Sequence, residues 1–468
     1  MAAHKQPINL LRGWPAPSLL PTSLVLTATQ AALSSPSIAR DALLYGPDPG
    51  YEPARVAIAA WLTAFYIPDT PTPAERLCIT GGASQNLGNV LSVYTDPEIT
   101  RKIWIVAPAY FLAFRIFEDA GFGGRMKGVP ERGDGVDLEM LEREMEKCEG
   151  EWQKKELEGG EHRTFKSRRS WGKVYKHVIY CVPSFANPSS RTMSLECRRG
   201  LVKLARKFDA LVVADDVYDF LQWPADTEES AQDGVMKTAH LPRLVDVDRS
   251  LDHGAEREGA DGFGNTCSNG SFSKIAGPGI RCGWVEGTKN FAFGISQAGT
   301  TRSGGAPSQL TSTYVTYLVE TGQLQEHIQK VLCPAYAARY ASMMRAISTH
   351  LSPLGFTLPQ SDRDVVGGYF IWLGLPAGLM AVDLARVCKT EEDVIVAAGE
   401  MFEVPGDQEM TFPAHIRLCF AWENEELLSE GVERIGKVTA RLLKEMQNWN
   451  GEYVMVEGRE AVDMDAFK

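Results

Sequence analysis

Long apolar runs are missing from this chain. None approaches the length of a membrane span, so a spanning helix is not expected. The first residues, Met1 to Pro7, lack the apolar core of a secretory signal. The last four, Asp465-Ala466-Phe467-Lys468, match no retention or peroxisomal address. Positive charge is also in short supply: 48 Lys and Arg stand against 60 Asp and Glu, a net charge of −12. That acidic, evenly mixed balance speaks against nucleic acid or an anionic membrane as partner. The nine cysteines are odd in number and scattered, with no Cys-x-x-Cys pair. They read as free thiols in a reducing cytoplasm, and neither a disulfide framework nor a metal site is expected. No internal repeat is apparent.

What is present is a large apolar content, 44% over 468 residues, enough for a sizeable core and more than one structural unit. Short apolar runs at Leu77 to Thr80, Ile103 to Val106, Val178 to Val182 and Leu211 to Ala214 read as buried strands. Amphipathic stretches lie between them, such as Leu195 to Phe208 with Leu201, Leu204 and Ala205 on one face. This alternation over residues 46–315 predicts an α/β unit with a mostly parallel sheet. A helical stretch follows from Gly322 to His350. Strand-like pieces come next at Tyr369 to Leu373, Val394 to Ala397 and Ile416 to Phe420, and a last helix from Glu425 to Met446. Residues 316–468 then form a smaller α+β domain, joined by the N-terminal segment 1–45. Glu151 to Ser170, with ten charged residues in twenty, reads as a solvated loop. So do Pro224 to Gly234 and His253 to Gly270.

In open α/β sheets ligands collect at the carboxyl ends of the strands. Here unusual polar residues follow strand after strand. Gly81-Gly82-Ala83-Ser84-Gln85 opens a helix and offers free N–H groups to an anion, although a plain structural turn explains it too. Tyr110 follows the second strand and is either packing or a surface for an aromatic ring. Asn187, in Ala186-Asn187-Pro188, is a helix cap or a donor to a phenolate. Asp215-Asp216-Val217-Tyr218 ends an apolar strand with two carboxylates, costly unless paired. Asp215 suits a protonated pyridine nitrogen, and Tyr218 reaches the phenolate side of such a ring. Lys274 lies in Ser271-Phe272-Ser273-Lys274-Ile275-Ala276-Gly277-Pro278-Gly279-Ile280-Arg281. A lysine preceded by two serines, with an arginine seven residues on, suits an amine that traps the aldehyde of pyridoxal phosphate while Ser271, Ser273 and Arg281 hold the phosphate. Arg417 sits inside an apolar strand pattern and needs a carboxylate, from a substrate or from the protein.

In this order and over nearly the whole chain, these motifs resemble the fold-type I pyridoxal-phosphate aminotransferases of class I/II. The likeness is to the branch containing 2-aminoadipate, kynurenine and aromatic aminotransferases. Tyr45 to Gly50 and Gly367 to Leu373 match as well. The resemblance implies a large domain with a mostly parallel seven-stranded sheet and a smaller α+β domain. It implies that Lys274 forms the cofactor imine and shuttles the proton, that Asp215 pairs with the ring nitrogen, and that Asn187 and Tyr218 hold the phenolate. Tyr110 stacks on the ring; Gly82, Ala83, Ser84, Ser271, Ser273 and Arg281 hold the phosphate. Arg417, with Asn187, binds the substrate α-carboxylate. Tyr45 matches a tyrosine that reaches the neighbouring subunit's phosphate, which implies a homodimer with shared sites. Leu11-Arg12-Gly13-Trp14-Pro15 resembles a segment lying over the site, so Arg12 and Trp14 bear on substrate choice. Two positions depart from the pattern. Asn187-Pro188 is followed by Ser189-Ser190 rather than Thr-Gly, and Ala107 replaces an acidic residue.

The chemistry so implied moves an amino group from an L-amino acid with an aromatic, 2-aminoadipate or other large side chain to a 2-oxo acid such as 2-oxoglutarate. Three other readings remain open. The same electron sink serves a β/γ-lyase or a cyclising enzyme. Ser271-Phe272-Ser273-Lys274 formally satisfies Ser-x-x-Lys of serine acyl enzymes, without the companion motifs. A cofactor-sensing regulator could use this fold, although no basic helix-turn-helix precedes the α/β unit.

Overall fold

Apolar runs too short for helices, each closed by Gly, Pro or Asp, become the strands of one large sheet. The structure is a computed structural model that describes residues 6–157, 164–167, 169–225, 236–302, 308–359 and 364–448. Across the sheet the order is Leu77–Thr80, Gly283–Glu286, Thr266–Ser271, Ala210–Asp215, His177–Cys181, Lys102–Ala107, Met126–Arg132 and Gly135–Val136. Gly283–Glu286 runs antiparallel to both neighbours, and Gly135–Val136 turns back on Met126–Arg132; the other pairings are parallel. Seven strands make the body of the sheet, and the two-residue Gly135–Val136 adds an eighth at its edge.

Every residue of His177–Cys181 and Ala210–Asp215 is buried, as a parallel strand covered on both faces requires. Alternation sends Tyr180 and Val213 into one core with Tyr94, Phe117 and Phe291. Ile179 and Val212 enter the opposite core with Trp104, Leu201 and Ala205. Helix Leu195–Lys207 supplies the last two and starts at Ser194, whose side chain accepts from Cys197 N.

Two expected loops hold regular structure. Glu151 to Leu157 is the last part of helix Leu138–Leu157. Thr266–Ser271 is a fully buried strand despite its polar composition. Its polarity is consumed internally. Ser268 donates to Asp216, and Asn269 donates to Ala83 O at 3.1 Å and accepts from Asn86 at 2.9 Å. Residues 158–163, 168 and 226–234 of the expected loops lie outside the described residues.

A second, antiparallel sheet joins Phe370–Gly374, His415–Cys419 and Ala397–Ala398. The expected strand Val394 to Ala397 is split by a change of partner. Val394–Ile395 pairs with Ile8–Asn9, and only Ala397–Ala398 joins His415–Cys419. Helices Cys333–His350, Ala381–Glu392 and Glu425–Asn448 complete this part of the chain. Leu10 O accepts from Cys419 N at 2.7 Å, which leads the following residues, Leu11 to Pro15, toward the edge of the large sheet. Among the described residues no helix is long and apolar enough to cross a membrane.

Candidate active site

Parallel strands deliver their carboxyl ends to one edge, and that is where the site forms. Gly81 to Ser84, Tyr110, Asn187, Asp215 to Tyr218 and Ser271 to Lys274 each follow such an end. The antiparallel strand Gly283–Glu286 starts at the same edge, since Gly283 pairs with Ser271, and so brings Arg281 there. Arg417 and Phe370 arrive from the second sheet, and Gly13 to Pro15 from the N-terminal segment. Together these residues enclose a cavity of about 200 Å³. Of the residues singled out by sequence, Trp14, Ala83, Ser84, Tyr110, Asn187, Asp215, Tyr218, Ser271, Ser273, Lys274, Arg281 and Arg417 line it. Gly82 does not line it but adjoins Arg281 and Ser271, which do. Arg12 lies beside the edge-to-face pair of Trp14 and Trp422, 5.1 and 4.8 Å from their ring centres. Tyr45 stays outside the cavity of its own chain and is 88% exposed.

One end of the cavity is built for an anion. Gly82 adopts φ +103°, and a Cβ there would stand 2.9 Å from Arg281 Nη2. Helix Ala83–Tyr94 begins at Gly82 with no side-chain cap, which leaves its first N–H groups open. Arg281 donates to Gly81 O at 2.7 Å and Pro278 O at 2.9 Å, and Ser271 donates to Ser273 Oγ at 2.9 Å. No acidic side chain among the described residues pairs with Arg281. We expect Gly82→Ala to cost about 1–3 kcal/mol, because this backbone region is nearly restricted to glycine. The methyl would also displace Arg281, so cofactor affinity of the apoprotein falls. Denaturant titration and equilibrium dialysis measure the two effects; wild-type values in both would show that this turn tolerates a side chain.

The other groups are buried titratable side chains. Asp215 accepts from Tyr180 Oη at 2.8 Å through Oδ2, while its buried Oδ1 has no partner among the described residues. Burial pushes its carboxyl up to about 6, opposed by that hydrogen bond and by Lys274. Burial also lowers the Lys274 amine to about 8, and its Nζ donates to Gly13 O at 2.8 Å. Tyr369 Oη, itself 3.2 Å from Tyr336 Oη, donates to Lys274 O at 3.1 Å and fixes the lysine backbone. Burial pushes Tyr110 up to about 12, with Asp215 adding to the rise.

Arg417 is fully buried. It donates to Asn187 Oδ1 at 2.8 Å and to Leu11 O, while its Nε is unpartnered. Burial lowers its proton affinity, to about 10, and no carboxylate among the described residues pairs with it. Of the two partners open to it from sequence, the protein's own is thus absent. Ser190, where the resemblance leads one to expect glycine, nonetheless takes φ +58° and donates to Phe370 O. A left-handed backbone is thus adopted here without glycine.

Pyridoxal phosphate fits this donor set. An orphaned buried carboxylate oxygen suits a ring N–H, the glycine cradle and Arg281 suit a phosphate, and the Lys274 amine suits an aldehyde. Bound there, the group supplies a reactive carbonyl and a protonated ring that takes up electrons released at a substrate α-carbon. Sequence reasoning missed Tyr180, Trp422, Phe370 and the carbonyls of Leu11 and Gly13. Only strand pairing places Tyr180 beside Asp215, and nothing local marks Trp422; Leu11, Gly13 and Phe370 lie in segments the resemblance matched, without a role for those atoms.

Fold and site together define a fold-type I pyridoxal-phosphate enzyme. The family profile for aminotransferase class I and II matches residues 18–435; the chain belongs to that family and is a pyridoxal-phosphate-dependent transaminase. A Saccharomyces cerevisiae protein described as uncharacterized is 35% identical over 450 residues, covering 92% of this chain and 96% of its own length. The 2-aminoadipate transaminase of Thermus thermophilus is 27% identical, covering 93% and 91% of the two chains. The aromatic-amino-acid aminotransferase 1 of Thermococcus litoralis is 25% identical, covering 93% and 89%. Among solved structures, the Pyrococcus horikoshii kynurenine aminotransferase matches with a TM-score of 0.72 at 23% identity, over 93% of this chain and 91% of that one, and so shares the fold.

Proposed function

We propose that this transaminase takes its amino group from an L-amino acid with a large side chain, aromatic or 2-aminoadipate-like, and passes it to a 2-oxo acid such as 2-oxoglutarate. The observation that carries the assignment is a fully buried Arg417 with no acidic partner among the described residues, facing the same cavity as Lys274 and Asp215. Arg417 and Asn187 bind the α-carboxylate common to donor and acceptor. Lys274 carries the proton from the substrate α-carbon, and Asp215 holds the ring nitrogen charged. Ala83, Ser84, Ser271, Ser273 and Arg281, with the turn at Gly82, hold the phosphate. Tyr110 covers the ring, and Asn187 and Tyr218 serve its phenolate side.

Once these groups are assigned, the side chains of Trp14, Pro15, Val182, Val217, Pro278 and Phe370 remain to meet the donor side chain. They offer apolar and aromatic surface. Arg12, beside Trp14 and with a buried Nε lacking a partner, offers a cation to a distal carboxylate. Names of two relatives, an aromatic-amino-acid aminotransferase and a 2-aminoadipate transaminase, support the same donors. The working unit is a homodimer in the cytoplasm. Leu26, Leu33, Leu43, Leu44 and Tyr45 are 42–88% exposed, an apolar stripe suited to a second copy whose cavity Tyr45 would reach. The chain divides into 46–315, which binds the cofactor, and 316–468, joined by 1–45; the cavity draws on all three.

A donor panel against 2-oxoglutarate tests this function. Aromatic amino acids or 2-aminoadipate should exceed alanine in kcat/KM by about tenfold or more, the discrimination that buried apolar contact supplies. Release of ammonia or a thiol, without a 2-oxo acid formed in step with a new amino acid, would reject transfer to such an acceptor.

A further inference from the structure

Tyr180 belongs to no motif, yet it holds one oxygen of Asp215. It sits on His177–Cys181, directly opposite Val213 on Ala210–Asp215. Val213 and Asp215 lie two residues apart on one strand and share a face, and Tyr180 points to that face too. From the strand spacing and two residues of rise, the diagonal from Tyr180 to Asp215 spans about 8 Å at the backbone, a gap that a phenol crosses and a short side chain does not. The ring is 2% exposed and is held edge-on by Phe117 at 5.7 Å, so the hydroxyl has little freedom to leave.

We propose that Tyr180 is a positioning residue for transamination: its hydroxyl pins Oδ2 of Asp215 so that Oδ1 faces the cofactor ring nitrogen as an anion. The proposal rests on the reading of Asp215 as the ring-nitrogen partner. The two oxygens divide the work, since Oδ2 accepts from Tyr180 at 2.8 Å and the buried Oδ1 is left for a ligand. The other groups acting on Asp215 are Lys274 from the turn after Thr266–Ser271, which favours its anion, and Asp219 from its own turn, which opposes it. Tyr110 and Tyr218 also face it, and Cys181 lies near it on the opposite face of the sheet; burial raises all three, so they stay neutral near pH 7. Tyr180 is itself raised well above its ordinary value by burial and remains the donor throughout that range. Its hydrogen bond leads the effects that keep Asp215 from rising further under burial.

Tyr180→Phe removes the donor and keeps the ring. With the anion less favoured, Asp215 takes up a proton at higher pH, and a neutral carboxyl cannot hold the ring nitrogen charged. In the full-length enzyme the acidic limb of kcat/KM should move up by about one pH unit, with kcat reduced and donor KM little changed. The apoprotein should bind pyridoxal phosphate about tenfold more weakly by equilibrium dialysis, a readout independent of turnover. In an Asp215→Asn background, Tyr180→Phe should change cofactor affinity less than twofold, because the two residues act through one contact. Superimposable pH profiles and affinities for Tyr180→Phe and wild type, with Asp215→Asn impaired, would overturn the role of Tyr180 and leave the Asp215 assignment standing. Unimpaired Asp215→Asn would overturn both.

Discussion

Lys274→Ala is expected to abolish multiple-turnover transamination, a loss of about four orders of magnitude or more. Two jobs end at once, capture of the aldehyde and transfer of the α-proton, and no second amine lines the cavity among the described residues. Burial lowers Lys274 from its ordinary 10.5 to about 8. At pH 7 roughly a tenth of the amine is then neutral and nucleophilic, against less than roughly a thousandth for an unshifted lysine. Cofactor uptake by the apoprotein should therefore rise with pH and level off above about 8. The linkage sign separates this loss from unfolding. The folded-state value lies below the unfolded one, so between pH 8 and 10.5 the unfolded chain holds more protons and this group's contribution to stability rises with pH. Below that window the buried lysine opposes folding, so the alanine apoprotein should melt no earlier than wild type at pH 7. Borohydride treatment of the wild-type holoenzyme should leave a cofactor-sized mass increment on the Lys274 peptide. Sustained turnover in the variant, or an increment on another lysine, would remove Lys274 from the mechanism.

How much of this was readable in the chain depends on where the signal resides. Asp215 and the Gly81 to Ser84 turn announce themselves because each breaks an apolar run at a strand end, and a parallel sheet brings such ends together; Lys274 and Arg281 are marked instead by the serines and glycines of the segment Ser271 to Arg281. Arg417 stands out as a charge inside an apolar strand. Tyr180 does not, because a tyrosine in a buried strand is ordinary, and only the register against Val213 aims it at Asp215. The contact of Arg12 with Trp422 joins residues some four hundred positions apart, so no local pattern predicts it. Thr266–Ser271 looked like a loop because polar, small residues usually are one. Here their hydrogen-bond partners come from helix Ala83–Tyr94 and Asp216, which a linear reading does not see.

Arg417→Gln should lower kcat/KM by about a hundredfold to a thousandfold, the usual scale for losing one member of a buried, hydrogen-bonded charge pair. The loss should fall on the KM of amino donor and 2-oxo acceptor alike, because both present the same α-carboxylate. Arg417→Lys should recover little of it. An ammonium cannot hold Asn187, Leu11 O and a carboxylate in one plane as the guanidinium fork does. Stability should move the other way. The wild-type apoprotein buries a cation with no acidic partner among the described residues, and burial lowers that group to about 10 against the opposing pull of Cys419, Tyr218 and Tyr110. Glutamine removes the charge and keeps an amide donor for Asn187 or Leu11, so the apoprotein should melt at the wild-type temperature or above. The decisive measurement is the stabilisation by a saturating 2-oxo acid. It should raise the melting temperature of the wild-type holoenzyme and leave that of the Arg417→Gln holoenzyme nearly unmoved, since a ligand stabilises only the state it binds. If the variant kept the full ligand-induced rise, the α-carboxylate would be bound elsewhere, and the uncompensated charge at Arg417 would have to be explained by something other than substrate.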